Sequence, residues 1–247
     1  MGRQTFSAAG EERIPSMRLA FQVLSTLTLG AVLVSPSMVA GQAIPSPYTF
    51  IESRQEVGLY GGYMSAATGR FGYGPSGGIM FGGRYALQLS GPLALEGVAG
   101  AVSGTRDVIN PARPEGDRVV GEGDALLATI DARLRLSATG DRAWHGLSPF
   151  LALGAGVAFD LSDPAEADLL VEARDVFDFG SSFFGTIALG TRWFATERFA
   201  LRTDGTFSLW RLKTPPGFSD ADRGFPSVED REWVRGLSVS VSLLYRW

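Results

Sequence analysis

The sequence predicts an all-β fold: an eight-stranded antiparallel up-and-down transmembrane β-barrel, preceded by a signal peptide. Three observations carry the prediction. Alternation of apolar and polar residues dominates from residue 55 onward. No apolar run of about 18 residues follows residue 35, so no transmembrane helix is available there. The connections alternate between tight turns and longer polar segments, which puts short turns at one end of a barrel and long loops at the other.

The N-terminal region comes first. Residues 1–16 are polar and unpatterned. Met17 then opens a charged start at Arg18, an apolar stretch from Leu19 to Val34, a Ser-Pro-Ser break, and small residues ending at Ala40 or Ala43. That order reads as a signal peptide with its cleavage site. Residues 1–43 are therefore assigned to an N-terminal extension plus signal peptide, with Met17 as the start. A retained anchor is the alternative. Residues 44–54 are expected to form a periplasmic N-terminal segment, and 55–247 the barrel.

Eight strands follow from period 2. The last is the clearest. Leu237, Val239, Val241, Leu243, Tyr245 and Trp247 share one face, against Ser238, Ser240, Ser242, Leu244 and Arg246. Between Leu126 and Ser137, Ile130, Leu134 and Leu136 oppose Asp131, Arg133 and Arg135. The other predicted strands are 56–63, 79–89, 93–102, 150–159, 183–194 and 201–211. Tight turns fall at Ser90-Gly91-Pro92 and Thr196-Glu197-Arg198, with a moderate one from Gly140 to Gly146. Long segments fall at Arg106–Glu122, Asp160–Asp175 and Lys213–Arg231, with a shorter one at Thr68–Pro75. The turn end is expected to face the periplasm and the loop end the outside.

Composition narrows the classes. There are no cysteines, so disulfides cannot hold this exported chain together. Net charge is −4, without the basic stripe of a nucleic-acid binder. An eight-stranded barrel leaves an interior just wide enough for side chains. The charges that alternation places inside are Glu56, Arg84, Glu96, Asp131, Arg133, Arg135, Arg192, Arg202, Asp204 and Arg246. Isolated buried charges are very costly, so a paired ionic core without a wide pore is expected. Aromatic residues are expected to girdle both ends of the belt: Tyr85, Trp193, Phe199, Tyr245 and Trp247 at the turn end, and Tyr63, Phe71, Tyr73, Phe159, Phe177, Phe179, Trp210 and Trp233 at the loop end. A soluble barrel with its apolar face inward is the competing reading of the same alternation.

Leu237–Trp247 resembles the C-terminal targeting strand of bacterial outer-membrane proteins, with Leu243, Tyr245 and Trp247 as its assembly signal. Val57-Gly-Leu-Tyr-Gly-Gly-Tyr63 and Phe150-Leu-Ala-Leu-Gly-Ala-Gly-Val157 resemble the Gly-and-aromatic strands of the OmpA-like and OmpW-like small-barrel superfamily. The resemblance covers roughly residues 55–247. It implies the cell outer membrane as location and the barrel assembly machinery, periplasmic chaperones, outer-membrane lipid and lipopolysaccharide as partners. The OmpA cell-wall domain has no counterpart after Trp247, so wall tethering is not expected.

Chemistry is weakly signalled. Some small barrels modify lipid A through a His, a Ser and an acid. The single histidine, His145, lies in a predicted periplasmic turn with Asp141 and Ser148 close in sequence. A catalytic arrangement needs the base beside its nucleophile, and a wet turn is a poor place to activate one. No enzyme, cofactor or metal site is expected. One histidine and no cysteine exclude zinc-type spacing. The acid-rich loops (Glu115, Asp117, Glu122, Asp124; Asp160, Asp163, Glu166, Asp168; Asp220, Asp222, Glu229, Asp230) read as solvated surface or as cation bridges to lipopolysaccharide. The inward charges read as a static filling or as a gate that switches partners. The expected function is a monomeric structural or interaction barrel without nucleic-acid partners. A narrow passive channel for ions or small hydrophobic solutes is the runner-up, and a lipid-modifying enzyme comes third.

Overall fold

The structure, a computed structural model, describes residues 46–225 and 228–247. The predicted signal peptide and Met17 start lie outside the described residues.

Ten strands form one antiparallel sheet: β1 (Tyr48–Phe50), β2 (Gln55–Ala66), β3 (Gly77–Ser90), β4 (Leu93–Ile109), β5 (Val119–Ser137), β6 (Arg142–Trp144), β7 (Leu147–Asp160), β8 (Ser181–Phe194), β9 (Phe199–Lys213) and β10 (Arg231–Arg246). Eight of them close a barrel in the order β2-β3-β4-β5-β7-β8-β9-β10, with β10 returning to β2. Each barrel strand pairs with its sequence neighbours, so the topology is up-and-down. Closure runs along most of the last strand, from Gly236 opposite Ala66 to Arg246 opposite Glu56. Closure removes the free edge that an open sheet would present.

The short pair was not anticipated. β1 pairs with β6, Tyr48 opposite Trp144, inside the segment read as the Gly140–Gly146 turn. The His145 N–H donates to the Pro47 carbonyl at 2.9 Å. His145 takes φ of +49°, in the left-handed region, as the chain turns from β6 to β7.

An apolar belt covers the outside. Leu59, Phe81, Leu95, Ile130, Leu153, Ile187, Phe207 and Val241, one from each barrel strand, are all exposed. A contiguous apolar surface this large is not tolerated in water. It suits a bilayer, where a closed barrel satisfies every backbone group internally. The chain is a membrane barrel of the outer-membrane type. Tyr85, Trp144, Trp193, Phe199, Tyr245 and Trp247 are exposed at the turn end; Tyr63, Phe159, Phe183 and Trp233 are exposed toward the loop end.

Two expectations need correction. Tyr73, Phe177, Phe179 and Trp210 do not belong to an outer girdle. They are buried inside the loop end of the barrel with Leu212, Phe218, Phe225 and Val234, and Phe71 packs against them. Both ends of the Arg106–Glu122 segment are strand: β4 runs to Ile109 and β5 starts at Val119. Both corrections have one cause, an inversion of polarity along the strands. On β5 the outward row passes from Ile130, Ala128 and Leu126 to Asp124 and Glu122, while the inward row passes from Arg135, Arg133 and Asp131 to Leu127 and Ala125. On β9 the outward row turns from Phe207 and Leu209 to Arg211 and Lys213, and the inward row from Asp204 to Trp210 and Leu212. Above the bilayer the outside meets polar surroundings and the inside meets the aromatic cluster, so period 2 continues with its sense reversed.

Candidate functional site: a barrel interior sealed at two levels

The first level lies toward the turn end. Seven charged side chains from six strands form one connected network. Arg202 donates to Glu96 at 2.6 Å and to Asp204 at 2.8 Å. Arg84 reaches Asp204 at 2.9 Å and Glu96 at 3.5 Å. Arg135 reaches Glu96 at 3.3 Å and also binds Glu56. Arg192 donates to Glu56 at 3.2 Å and to the hydroxyls of Ser137 and Ser148. All seven side chains are buried, and Glu96 and Arg202 are fully so. Strand alternation supplies this arrangement, because each of these residues stands on the inward row of its strand.

The three other sequence-predicted interior residues behave differently. Asp131 and Arg133 pair with each other two residues apart on β5 and join no other ion pair. Arg246 is buried but has no ion pair among the described residues; its guanidinium lies 4.2 Å from the centre of the Phe194 ring. Among these ten residues, six arginines thus face four carboxylates. Aromatic faces offset the excess. Arg202 and Arg135 lie over Phe150 at 4.3 and 6.0 Å, and Arg84 over Tyr60 at 4.9 Å. A ring quadrupole attracts a cation most where water is excluded. Sequence reasoning missed Phe150, Phe194 and Tyr60 as partners. Their inward parity was the available signal.

The second level is the aromatic plug at the loop end. Phe218 is fully buried, stacks on Phe71 at 4.6 Å, and meets Phe225 edge-on at 5.3 Å. Tyr73 packs on Phe177 and Phe218. The plug draws on the three connections at 67–76, 161–180 and 214–230, and polar ties hold them down. Tyr73 donates to Glu232 at 2.6 Å, and the Arg70 N–H donates to the same carboxylate at 2.9 Å. Burial, and then the Glu232 carboxylate beside it, push the Tyr73 phenol well above the usual tyrosine range. Arg223 bridges Asp175 and Glu172, joining two connections. The bond to Asp175 raises the Arg223 guanidinium further, while Arg174 and Arg223 hold the exposed Glu172 carboxyl below its ordinary value. Arg106 binds Asp168 at 2.6 Å, fixing the 3-10 turn Glu166–Leu170 to β4.

Between the levels lies a cavity of about 70 Å³. Its wall includes Met64, Met80, Phe184 and Trp210, the hydroxyls of Tyr60 and Thr186, and the charged Arg84, Asp131 and Arg133. The volume accommodates a few waters, not a transported solute.

The remaining candidates are scattered. His145 meets Trp144 edge-on at 4.9 Å, while Ser148 is buried and its hydroxyl is engaged by Arg192 and Thr139. Leu243, Tyr245 and Trp247 point outward, and the Tyr245 and Trp247 rings stack at 5.8 Å. Among the described residues, no group of three His, Cys, Asp or Glu side chains is gathered to hold a metal.

No protein-family model matches the chain, and no curated protein matches it. Solved structures with a similar chain path include Neisserial surface protein A, NspA, at 11% identity over 78% of this chain and 97% of that one, with a TM-score of 0.48. The outer membrane protein OprG from Pseudomonas aeruginosa is 13% identical over 79% and 97% of the two chains, with a TM-score of 0.49. AlkL, an outer membrane protein solved in lipid bilayers, is 12% identical over 81% and 92%, with a TM-score of 0.40. The likeness is one of barrel architecture, and at such identities no activity carries across.

Proposed function

We propose that this barrel is a closed structural and interaction protein of the outer membrane. The eight strands anchor it in the bilayer, and the 67–76, 110–118, 161–180 and 214–230 connections face the outside. The observation that carries the reading is the double seal: a paired ionic layer toward the turn end and an aromatic plug at the loop end. An open channel would keep its charges hydrated. Here Glu96 and Arg202 are 0% exposed, which supports a filled interior. On this reading the chain acts as a monomer. Its partners are outer-membrane lipid, lipopolysaccharide, periplasmic chaperones and the barrel assembly machinery. Catalysis through His145 is not part of the reading, because Ser148 faces Arg192 and the barrel interior instead.

A second reading, a narrow gated path, is favoured by one observation. Arg135 and Arg84 each touch two carboxylates, so partner exchange is geometrically available.

Topology is tested by single cysteines in an otherwise cysteine-free chain. Gly116→Cys in the 110–118 loop should react with a membrane-impermeant maleimide on intact cells, and Gly91→Cys in the β3–β4 turn should not. The reverse pattern, or a soluble protein lacking heat-modifiable migration on a gel, would overturn the assignment.

A further inference from the structure

We propose that the outward face of β9 and β10, at the loop-end margin of the apolar belt, binds the phosphate groups of a phosphorylated lipid in the surrounding leaflet. The inference rests on the membrane orientation proposed above.

The outward row of β9 runs Phe207, Leu209, Arg211, Lys213, and that of β10 runs Leu237, Arg235, Trp233, Arg231. Register places Lys213 directly opposite Arg231, and Arg211 opposite Trp233. All four cations are exposed. Like charges directly opposite on an antiparallel pair repel. Among the described residues, none of Arg211, Lys213, Arg231 and Arg235 enters an ion pair. Arg211 lies over the Trp233 ring at 5.1 Å, which holds one guanidinium in place. Beside them lies an open groove of about 490 Å³, shared with Ser181, Phe183 and one carboxylate, Asp178. The arrangement is a cationic pair beside an open groove.

Height identifies the anion. From Phe199, which meets Tyr245 in the turn-end girdle, to Leu209 is ten residues on β9. At about 3.4 Å per residue and a tilt near 40°, that spans roughly 25 Å, the height of a barrel's apolar band. Arg211 and Lys213 therefore sit where headgroups begin. Acyl chains would lie on Phe207, Leu237 and the exposed Phe183. Arginine forks match phosphate oxygens in a bidentate way. Positions two apart on one strand are about 7 Å apart, so the four cations suit a headgroup bearing two phosphates. The rim is also polarised. Halfway round the barrel, the matching outward positions on β4 and β5 are Asp107, Glu122 and Asp124. The cationic sector is thus a local site and not a general basic rim.

The test uses the folded barrel in phosphatidylcholine nanodiscs, with bis-phosphorylated lipid A as probe. Retention is measured by native mass spectrometry for wild type, the double variant K213Q/R231Q, and the acidic-sector control E122Q/D124N. A surface cation contributes about fivefold to the binding of an anionic lipid. The double variant should bind roughly 25-fold more weakly on that basis. The control should bind as wild type does, and dephosphorylated lipid A should bind weakly to all three. Millimolar inorganic phosphate should not displace the lipid. Equal retention by wild type and the double variant overturns the site. So does equal binding of the two lipid forms, or displacement by free phosphate. A chain that never enters the bilayer overturns the membrane reading and the site with it; one that inserts normally and fails to discriminate overturns the site alone.

Discussion

Replacing Glu96 by Gln should destabilise the barrel by about 3–5 kcal/mol, the range for removing one partner from a buried ion pair. Three arginines converge on Glu96: Arg202 at 2.6 Å, Arg135 at 3.3 Å and Arg84 at 3.5 Å. After the substitution Arg202 and Arg84 must share Asp204, and Arg135 must share Glu56 with Arg192. Six interior arginines would then face three carboxylates. Glutamine conserves the side-chain volume, so cavity formation adds little. The magnitude separates two descriptions of the interior. In a dry, filled lumen the loss is several kcal/mol. In a hydrated lumen each pair is worth only about 0.2–1 kcal/mol, as for exposed ion pairs. The assay is equilibrium guanidinium unfolding of protein in phospholipid vesicles, followed by the fluorescence of its tryptophans. A loss below about 1 kcal/mol would refute the filled interior, because exposed pairs contribute no more than that. A double replacement of Glu96 and Arg202 by apolar residues of similar size should cost less than Glu96→Gln alone, since the excess of arginines over carboxylates then stays as in the wild type instead of rising by one.

Three further outcomes follow from the same geometry. Tyr73→Phe keeps the ring in the plug and removes its hydrogen bond to Glu232, a loss of about 1.5–3 kcal/mol for a bond to a charged group. Because the folded-state phenol titrates above its unfolded value, the wild-type advantage is complete below about pH 10 and fades as pH rises further; loop proteolysis that is equally rapid in both proteins at pH 8 would contradict this. Phe218→Ala should cost the plug about 3–5 kcal/mol and speed cleavage of the 214–230 connection, yet leave the barrel non-conducting because the ionic layer remains; conductance from this variant alone would show that layer to be leaky. Trp247→Ala removes ring contacts to Tyr245 at 5.8 Å and Tyr85 at 6.5 Å, each such pair being worth about 0.5–1.5 kcal/mol, and should lower the yield of heat-modifiable barrel on refolding into vesicles; an unchanged yield would remove Trp247 from the assembly signal.

The membrane-embedded half of each strand was legible because one physical rule governs it. Lipid outside and a filled lumen inside force period 2 with apolar residues outward, and Leu126–Ser137 and Leu237–Trp247 follow that rule except at the inward Leu127 and Leu244. The same rule hid the loop end. Where strands leave the bilayer the pattern persists with opposite sense, so Asp124 and Glu122 read as loop although they face outward from β5. The tendency of aromatics to gather at interfaces points Trp210 to a girdle, yet its even parity on β9 sets it inside with Leu212. The ten inward charges could be read from parity one strand at a time. Their connectivity could not, because it depends on the register that sets Arg202 within reach of Glu96, 106 residues away. Phe150, placed between two arginines, was obscured by the small residues around it. The β1–β6 pair rests on three residues per strand, too few for a periodic signal.

The central claim is that the lumen is closed at two levels, and single-channel recording from the purified, folded protein in planar bilayers tests it most directly. The account predicts no unitary conductance for the wild type under applied voltage. Reproducible unitary steps from wild-type protein would contradict it.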